Sequence, residues 1–273
     1  MAAHDVMAEQ CRHLRNRIVD MAHAAGSGHC GGSLSCVEIL WTLYGQVLRV
    51  RPSEPLWPDR DRFILSKGHA APALYAVLAQ RGFFDPAMLA TLRKTGSMLQ
   101  GHPDMRKTPG IDMSAGSLGM GISAGVGMAL AARLAGKDFR VYVLVGDGEL
   151  QEGQNWEAMT AASKYGLDNL VVIVDLNGVQ LDGPVEQVMP MGDIPGKLAQ
   201  FGLDVRGCDG HDCAELSAAL GWAQQLTGRP KAIVARTVKG KGVSFMEGQS
   251  AWHGKPLAAE GYRLAKAELA VKP

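Results

Sequence analysis

Asp147 stands between Gly146 and Gly148, directly after the apolar run 141–145 (VYVLV). An aspartate so placed projects from a sharp turn at the carboxyl end of a strand, where open parallel sheets bind ligands. The flanking glycines let backbone and ligand approach closely, and a helix that follows offers free N–H groups to an anion. The next apolar run, 170–175, leads into Asp175-Leu176-Asn177. Two successive strands thus deliver Asp147 and Asn177 to one edge of a sheet. Carboxylate and amide oxygens are hard ligands that suit Mg2+ or Ca2+, and Mg2+ commonly joins protein carboxylates to phosphate oxygens. Either segment alone reads as an ordinary turn. The pair reads as a metal–diphosphate site.

The chain has eight histidines. A lone histidine is more often a surface or hydrogen-bonded core residue than a catalytic one. His29, His69, His102 and His253, however, each adjoin a glycine in a loop at the end of a strand or helix, a placement that favours a site. An imidazole with an unperturbed pKa of about 6.5 donates or accepts a proton near neutrality. His4, His13 and His23 fall on the first helix and read as structural, as does His211, in the turn before a later helix.

These residues need a scaffold of alternating strands and helices. Leu14, Ile18, Met21 and Ala25 share one face of a helix over 6–25. Val37, Leu40, Trp41 and Tyr44 predict a second over 33–48. Pro52, Pro55 and Pro58 mark an irregular connection. A short strand, 62–65, leads to a helix over 70–81, and Asp85-Pro86 opens a short one. Residues 94–115 read as loop and 118–134 as helix. The strand 140–145 is apolar at nearly every position, as in a sheet covered on both faces. A helix over 156–165, a strand over 170–175 and a long loop over 178–196 follow. A strand ending at Val205, a helix over 212–226 capped by Asp212, a strand over 231–235 and a helix over 256–271 complete the chain. The order predicts an α/β fold: a mainly parallel sheet with helices on both faces, in one domain over 1–273.

Composition excludes several classes. With 28 basic and 27 acidic residues the net charge is +1, and no basic stripe suggests nucleic acid. The uncharged stretch 114–132 approaches the ~20 residues that span a bilayer, but it is rich in Gly, Ala and Ser and is followed by Arg133, so no membrane partner is expected. Five cysteines without a CxxC or a secretory signal read as free thiols in a reducing cytoplasm. Cys208 and Cys213 with His211 between them lack a second ligand pair for zinc. The glycines of 116–127 do not form GxGxxG after a strand, which argues against a nicotinamide dehydrogenase.

GDGELQEG (146–153) followed by VDLNGVQLDG (174–183) resembles the thiamine diphosphate signature of transketolases. The resemblance continues through SGHCGGSLSCVEIL (27–40), LSKGHAAPALY (65–75), QGHP (100–103), GSLG (116–119), DGHD (209–212), VKGKG (238–242) and WHGKP (252–256). It implies a thiamine-diphosphate-binding fold. It further implies Mg2+, with Ca2+ as a substitute, held by the Asp147 carboxylate, the Asn177 side-chain oxygen and the Val179 carbonyl. Gly146 belongs to the same turn, and the Gly148 N–H would meet the diphosphate. His69 would contact the diphosphate, and Gly116 and Leu118 the cofactor rings. Glu152 would lie where two chains meet, near the cofactor. His29, His102 and His253 would bind substrate hydroxyls and move protons, His253 also lying against the cofactor. Cys30, Lys67 and Ser117 depart from residues common in single-chain members, a departure that bears on the substrate.

A complete single-chain transketolase is more than twice this length, and its second domain binds the aminopyrimidine. The expectation is therefore a split enzyme, a heterotetramer in which two copies of this chain join two copies of a C-terminal partner carrying the pyrimidine-binding domain. It would act on sugars or sugar phosphates. The final helix soon after VKGKG reads as a natural terminus. Alternatives are a subunit of a 1-deoxyxylulose-5-phosphate synthase-like or E1-like enzyme, and a non-catalytic regulatory subunit. The HG pair at 253–254 and GHP at 101–103 favour transketolase.

Overall fold

The computed structural model describes residues 3–270. In chain order the helices are α1 (Ala3–Ala24), α2 (Cys30–Leu34), α3 (Val37–Thr42), α4 (Ala71–Gln80), α5 (Met120–Leu134), α6 (Gly153–Lys164), α7 (Val185–Val188), α8 (Ile194–Gln200), α9 (Cys213–Ala223) and α10 (Ala259–Glu268). The strands are β1 (Arg62–Leu65), β2 (Val141–Gly146), β3 (Leu170–Leu176), β4 (Asp204–Asp209) and β5 (Lys231–Arg236). They form one parallel sheet in the order β1-β2-β3-β5-β4.

Strand side chains alternate between faces, and both faces of this sheet are covered. Tyr142 and Leu144 of β2, with Val171 and Ile173 of β3, join a core completed by α1, α2, α3, α4, α9 and α10. Val141, Val143 and Val145, with Leu170, Val172 and Val174, join a second core under α5, α6 and α8. This double burial is the physical reason for the unbroken apolar runs. Helix α4 is buried along nearly its whole length, as its small residues require. Helix α5 buries Ile122, Val126 and Ala129 against the sheet, and no described helix is long and apolar enough to cross a membrane.

Several expected boundaries shift. The segment expected to be one helix over 33–48 is broken into α2, α3 and a wide turn at Leu43–Val47. Its apolar spacing persists across the break, so periodicity alone could not reveal it; at the break Ser35 donates 2.6 Å to Asp175 Oδ2. Val205 lies near the start of β4, not its end. That strand pairs only with β5 and exposes Arg206 and Gly207, so it carries no apolar run to read. The loop expected over 178–196 contains α7 and the start of α8, the latter capped by Asp193 accepting 3.0 Å from the Gly196 N–H. Asp212 caps α9 by accepting from the Ala214 and Glu215 N–H groups. The last helix runs Ala259–Glu268, and Val271 is outside the described residues. All five cysteines are free thiols.

Candidate functional site

The carboxyl ends of β1, β2, β3 and β5 open on a cavity of about 280 Å3 lined by Lys67, His69, Asp147, Asn177, Val179, Lys239 and His253, among others. Gly146 and Asp175 are paired across β2 and β3, so adjacent strands bring Asp147 and Asn177 together as their positions imply. Asp147 is 2% exposed. Its Oδ1 accepts 2.8 Å from the Gly148 N–H and its Oδ2 2.5 Å from the Gly178 N–H. The Gly148 N–H, which the resemblance assigns to a diphosphate, is thus turned onto the neighbouring carboxylate. The Val179 N–H donates 3.1 Å to Asn177 Oδ1. The Val179 carbonyl accepts from the Lys239 ammonium at 3.1 Å, as does the Gln180 carbonyl at 3.3 Å.

Beneath Asp147 lies Asp175, fully buried. It is ion-paired with Lys67 and hydrogen-bonded by Ser35, Thr237 and Asn177. Burial opposes its charge, but the Lys67 ammonium holds its carboxyl below the usual range. Asp147 is in no such ion pair among the described residues: burial and then the Asp175 charge push it up, against the two backbone N–H groups and the Lys67 charge. Lys239 has the opposite imbalance, since burial and the Lys67 charge bring its ammonium down to about 8.

The four glycine-flanked histidines converge. His69 and His253 lie on the cavity wall with ring centroids 4.7 Å apart. His29 is 5.5 Å from His69 and 5.4 Å from His253, and His102 continues outward, 6.1 Å from His29 and exposed. Lys239 Nζ also lies 3.1 Å from His253 Nδ1. Burial, then nearby cations, bring His253 and His29 down to about 4. Burial and Lys67 hold His69 well below its ordinary value, and burial and Arg93 lower His102. The same influences act on all four rings in one direction, favouring the neutral imidazole, which has one N–H donor and one acceptor nitrogen.

Gly116 packs against the His102 ring. Leu118, 37% exposed, lies on the cavity wall, as does the exposed Glu152. Between them Gly119 has φ +87°, and a Cβ there would come 2.7 Å from Glu152 Cβ, so only glycine fits. The other histidines lie elsewhere. His23 stacks on Tyr262 at 4.2 Å, and His13 is exposed. His211 bridges Glu38 and the Val238 N–H. The side chain of His4 is outside the described residues.

Sequence reasoning gave no role to Lys67, Lys239, Glu149 or Arg93. The signal for the two lysines was present, since both lie just past a strand end inside motifs that resemble the family. Glu149 is buried and accepts from Ser66 Oγ, the Gly119 N–H at 2.9 Å and the Gly146 N–H at 3.1 Å, fixing the turn around Asp147. Arg93 has φ +61°, uncommon for a residue with a side chain. It donates 2.8 Å to Ser27 Oγ and lies 3.4 Å from His29 Nδ1. Nothing local in the sequence signals that backbone.

Residues 5–273 match the family described as transketolase, thiamine diphosphate binding domain. The chain is 43% identical over 263 residues to the 6-deoxy-6-sulfo-D-fructose transketolase subunit SqwG of a Clostridium species, covering 96% of each. It is 41% identical to one of the subunits of the apulose-4-phosphate transketolase of Phocaeicola vulgatus, covering 93% of this chain and 90% of that one. A crystal structure of a transketolase from Pichia stipitis superposes with a TM-score of 0.92 at 32% identity. The match covers 97% of this chain and 41% of that one, so the chain spans about two-fifths of the single-chain enzyme. The sheet, the two-strand turn and the match along almost the whole sequence agree: the chain belongs to the transketolase thiamine diphosphate-binding domain family.

Proposed function

We propose that this chain is the diphosphate-binding subunit of a two-chain transketolase, which moves a two-carbon ketol unit from a ketose or its phosphate to an aldose or its phosphate. The observation that carries the reading is a chain of four imidazole rings, His69 and His253 on the wall of a cavity that also holds Asp147 and Asn177, with His29 and then His102 leading outward from them. Thiamine diphosphate supplies the carbon nucleophile and electron sink that carbon–carbon cleavage needs.

The residues fit a magnesium ion with a diphosphate. Asp147, Asn177 and Val179 offer a carboxylate, an amide and a carbonyl oxygen, a donor set for Mg2+ or Ca2+. Asp147 is a buried carboxylate that forms no ion pair among the described residues, with a second carboxylate behind it and the Lys67 charge offsetting only part of the cost. A divalent ion there would relieve that imbalance. Lys239 and His69 face the same space and would take the diphosphate oxygens. His253, His29 and His102, stepping outward, would hydrogen-bond substrate hydroxyls and carry protons between them. Neutral rings suit this relay, because each can accept on one nitrogen while donating from the other.

The cavity of about 280 Å3 falls just short of the ~300–1,000 Å3 of a complete small-molecule site. It has room for the diphosphate end of the cofactor, and a second polypeptide would close over the pyrimidine end. Leu118 and Leu181 on its wall are exposed, as are nearby Met120, Val188 and Met189. Such an apolar rim marks an interaction surface. Gly116, Leu118 and Glu152 would then meet the cofactor rings and the partner, in a heterotetramer of two copies of each chain located in the cytoplasm. The relatives named as subunits of sulfofructose and apulose-phosphate transketolases support the two-chain reading.

Mixing tests it. The chain alone should bind thiamine diphosphate weakly and show no ketol transfer from a ketose donor. Adding a partner with the pyrimidine-binding domain should restore both. Ketol transfer by the purified chain alone would refute the two-chain arrangement.

A further inference from the structure

His29 joins the two rings on the cavity wall to the one at its mouth. It lies 5.5 Å from His69 and 5.4 Å from His253 on one side, and 6.1 Å from His102 on the other. Its backbone is tied to α2, which starts at the next residue: the Ser33 N–H donates 3.1 Å to the His29 carbonyl. The ring has two unlike edges. Nδ1 meets the Arg93 guanidinium, with Nη2 at 3.4 Å. Nε2 has no hydrogen-bond partner among the described residues. Gly254 puts no side chain over that second edge, where a Cβ would lie 3.8 Å from Nε2.

Arg93 is held from several sides, although it is exposed. Its backbone is left-handed, with φ +61°. Its N–H donates 2.9 Å to the Leu99 carbonyl, and Leu92 and Leu99 are both buried. Its Nη1 donates 2.8 Å to Ser27 Oγ, two residues before His29. Gly101, next to His102, lies against the guanidinium, and a Cβ there would come 3.0 Å from Arg93 Cζ. A guanidinium carries only donors, so the ring nitrogen it meets must be an acceptor. Burial and then the Arg93 charge favour the neutral ring, whose single proton sits on one nitrogen or the other. With Nδ1 accepting, that proton belongs on Nε2.

We propose that Arg93 is a positioning residue that holds His29 in its Nε2–H tautomer, so that His29 presents a hydrogen-bond donor, not an acceptor, to the substrate. The role of that donor rests on the ketol-transfer reading above. A donor fixed in advance stabilises negative charge that develops on a ketose oxygen, without having to reorient during the reaction. It also divides the labour among the rings: proton acceptance falls to a ring other than His29.

Ring-nitrogen NMR of the full, folded chain, its histidines labelled with heavy nitrogen, tests this without cofactor or partner. His29→Gln identifies the His29 resonances by their loss. In the native chain at neutral pH, His29 should show a protonated Nε2 and a bare, hydrogen-bonded Nδ1. Arg93→Asn keeps a residue type that tolerates the left-handed backbone. It should shift the Nδ1 resonance and bring the Nδ1–H tautomer from absent to measurable, while His23, stacked on Tyr262, stays unshifted. Ser27→Ala, which releases the other arm of the guanidinium, should move Nδ1 in the same direction by less. A native His29 protonated at Nδ1 would overturn the proposal. So would an unchanged His29 spectrum in Arg93→Asn with native circular dichroism. Where Arg93→Asn does not fold, an unshifted Nδ1 in Ser27→Ala overturns it. None of these outcomes touches the cofactor reading, which the mixing experiment decides separately.

Discussion

Two buried clusters of charge face different fates in this molecule. In the first, Arg15 grips Glu38 through both carboxylate oxygens at 2.6 and 2.7 Å, and His211 takes Glu38 Oε2 at 3.0 Å while accepting the Val238 N–H. Burial would raise Glu38, but Arg15 and His211 bring it down to about 2. In the second, at the carboxyl edge of the sheet, only the Lys67–Asp175 pair is matched. Asp147 is pushed up, Lys239 down to about 8, and His29 and His253 down to about 4. The closed cluster has every charge answered from within the chain. The open one holds groups away from their preferred protonation states, the condition expected where a ligand completes the balance.

Removing one member of the closed cluster should have the largest effect. Glu38→Ala leaves Arg15 buried without its anion and should cost about 3–5 kcal/mol in urea unfolding, with the cofactor affinity of the folded protein unchanged. A cost near zero would mean that the two clusters are alike. At the open cluster the trade reverses. Asp147→Ala should weaken the proposed Mg2+-dependent thiamine diphosphate binding, measured by calorimetry with the proposed partner present, by roughly a hundredfold, the equivalent of one charged contact. The melting temperature without cofactor should hold or rise, since a poorly compensated buried charge is gone.

Acid sharpens the contrast. Glu38 is more acidic folded than unfolded, so its contribution is complete above about pH 4.5 and fades as pH falls toward about 2. Glu38→Gln should flatten the fall in stability across that window in pH-dependent denaturation. An unchanged slope would remove Glu38 from the account. The smallest effect, about 1 kcal/mol, is expected for Asp212→Ala, which removes only the α9 cap. A thermal scan showing a loss as large as that of Glu38→Ala would put Asp212 inside the closed cluster.

What could be read from the sequence follows the same division. Asp147 and Asn177 were legible because each follows a strand whose double burial forces an apolar run. His29, His69, His102 and His253 were legible because glycine marks the loops that carry them. The Lys67–Asp175 pair joins residues 108 apart, and no local pattern encodes such a partner. The break before α3 was hidden because the apolar spacing continues through it. Strand β4 was misplaced because an edge strand with exposed side chains has no apolar run. Arg93 was missed because its left-handed backbone is set by tertiary contacts.

Leu118, Leu181 and Met189 stand uncovered beside the cavity. Solvent-facing greasy side chains clustered at one opening make a chain adhesive toward its own copies. A cell that produced this polypeptide with nothing to cover that rim would be expected to accumulate self-associating chains.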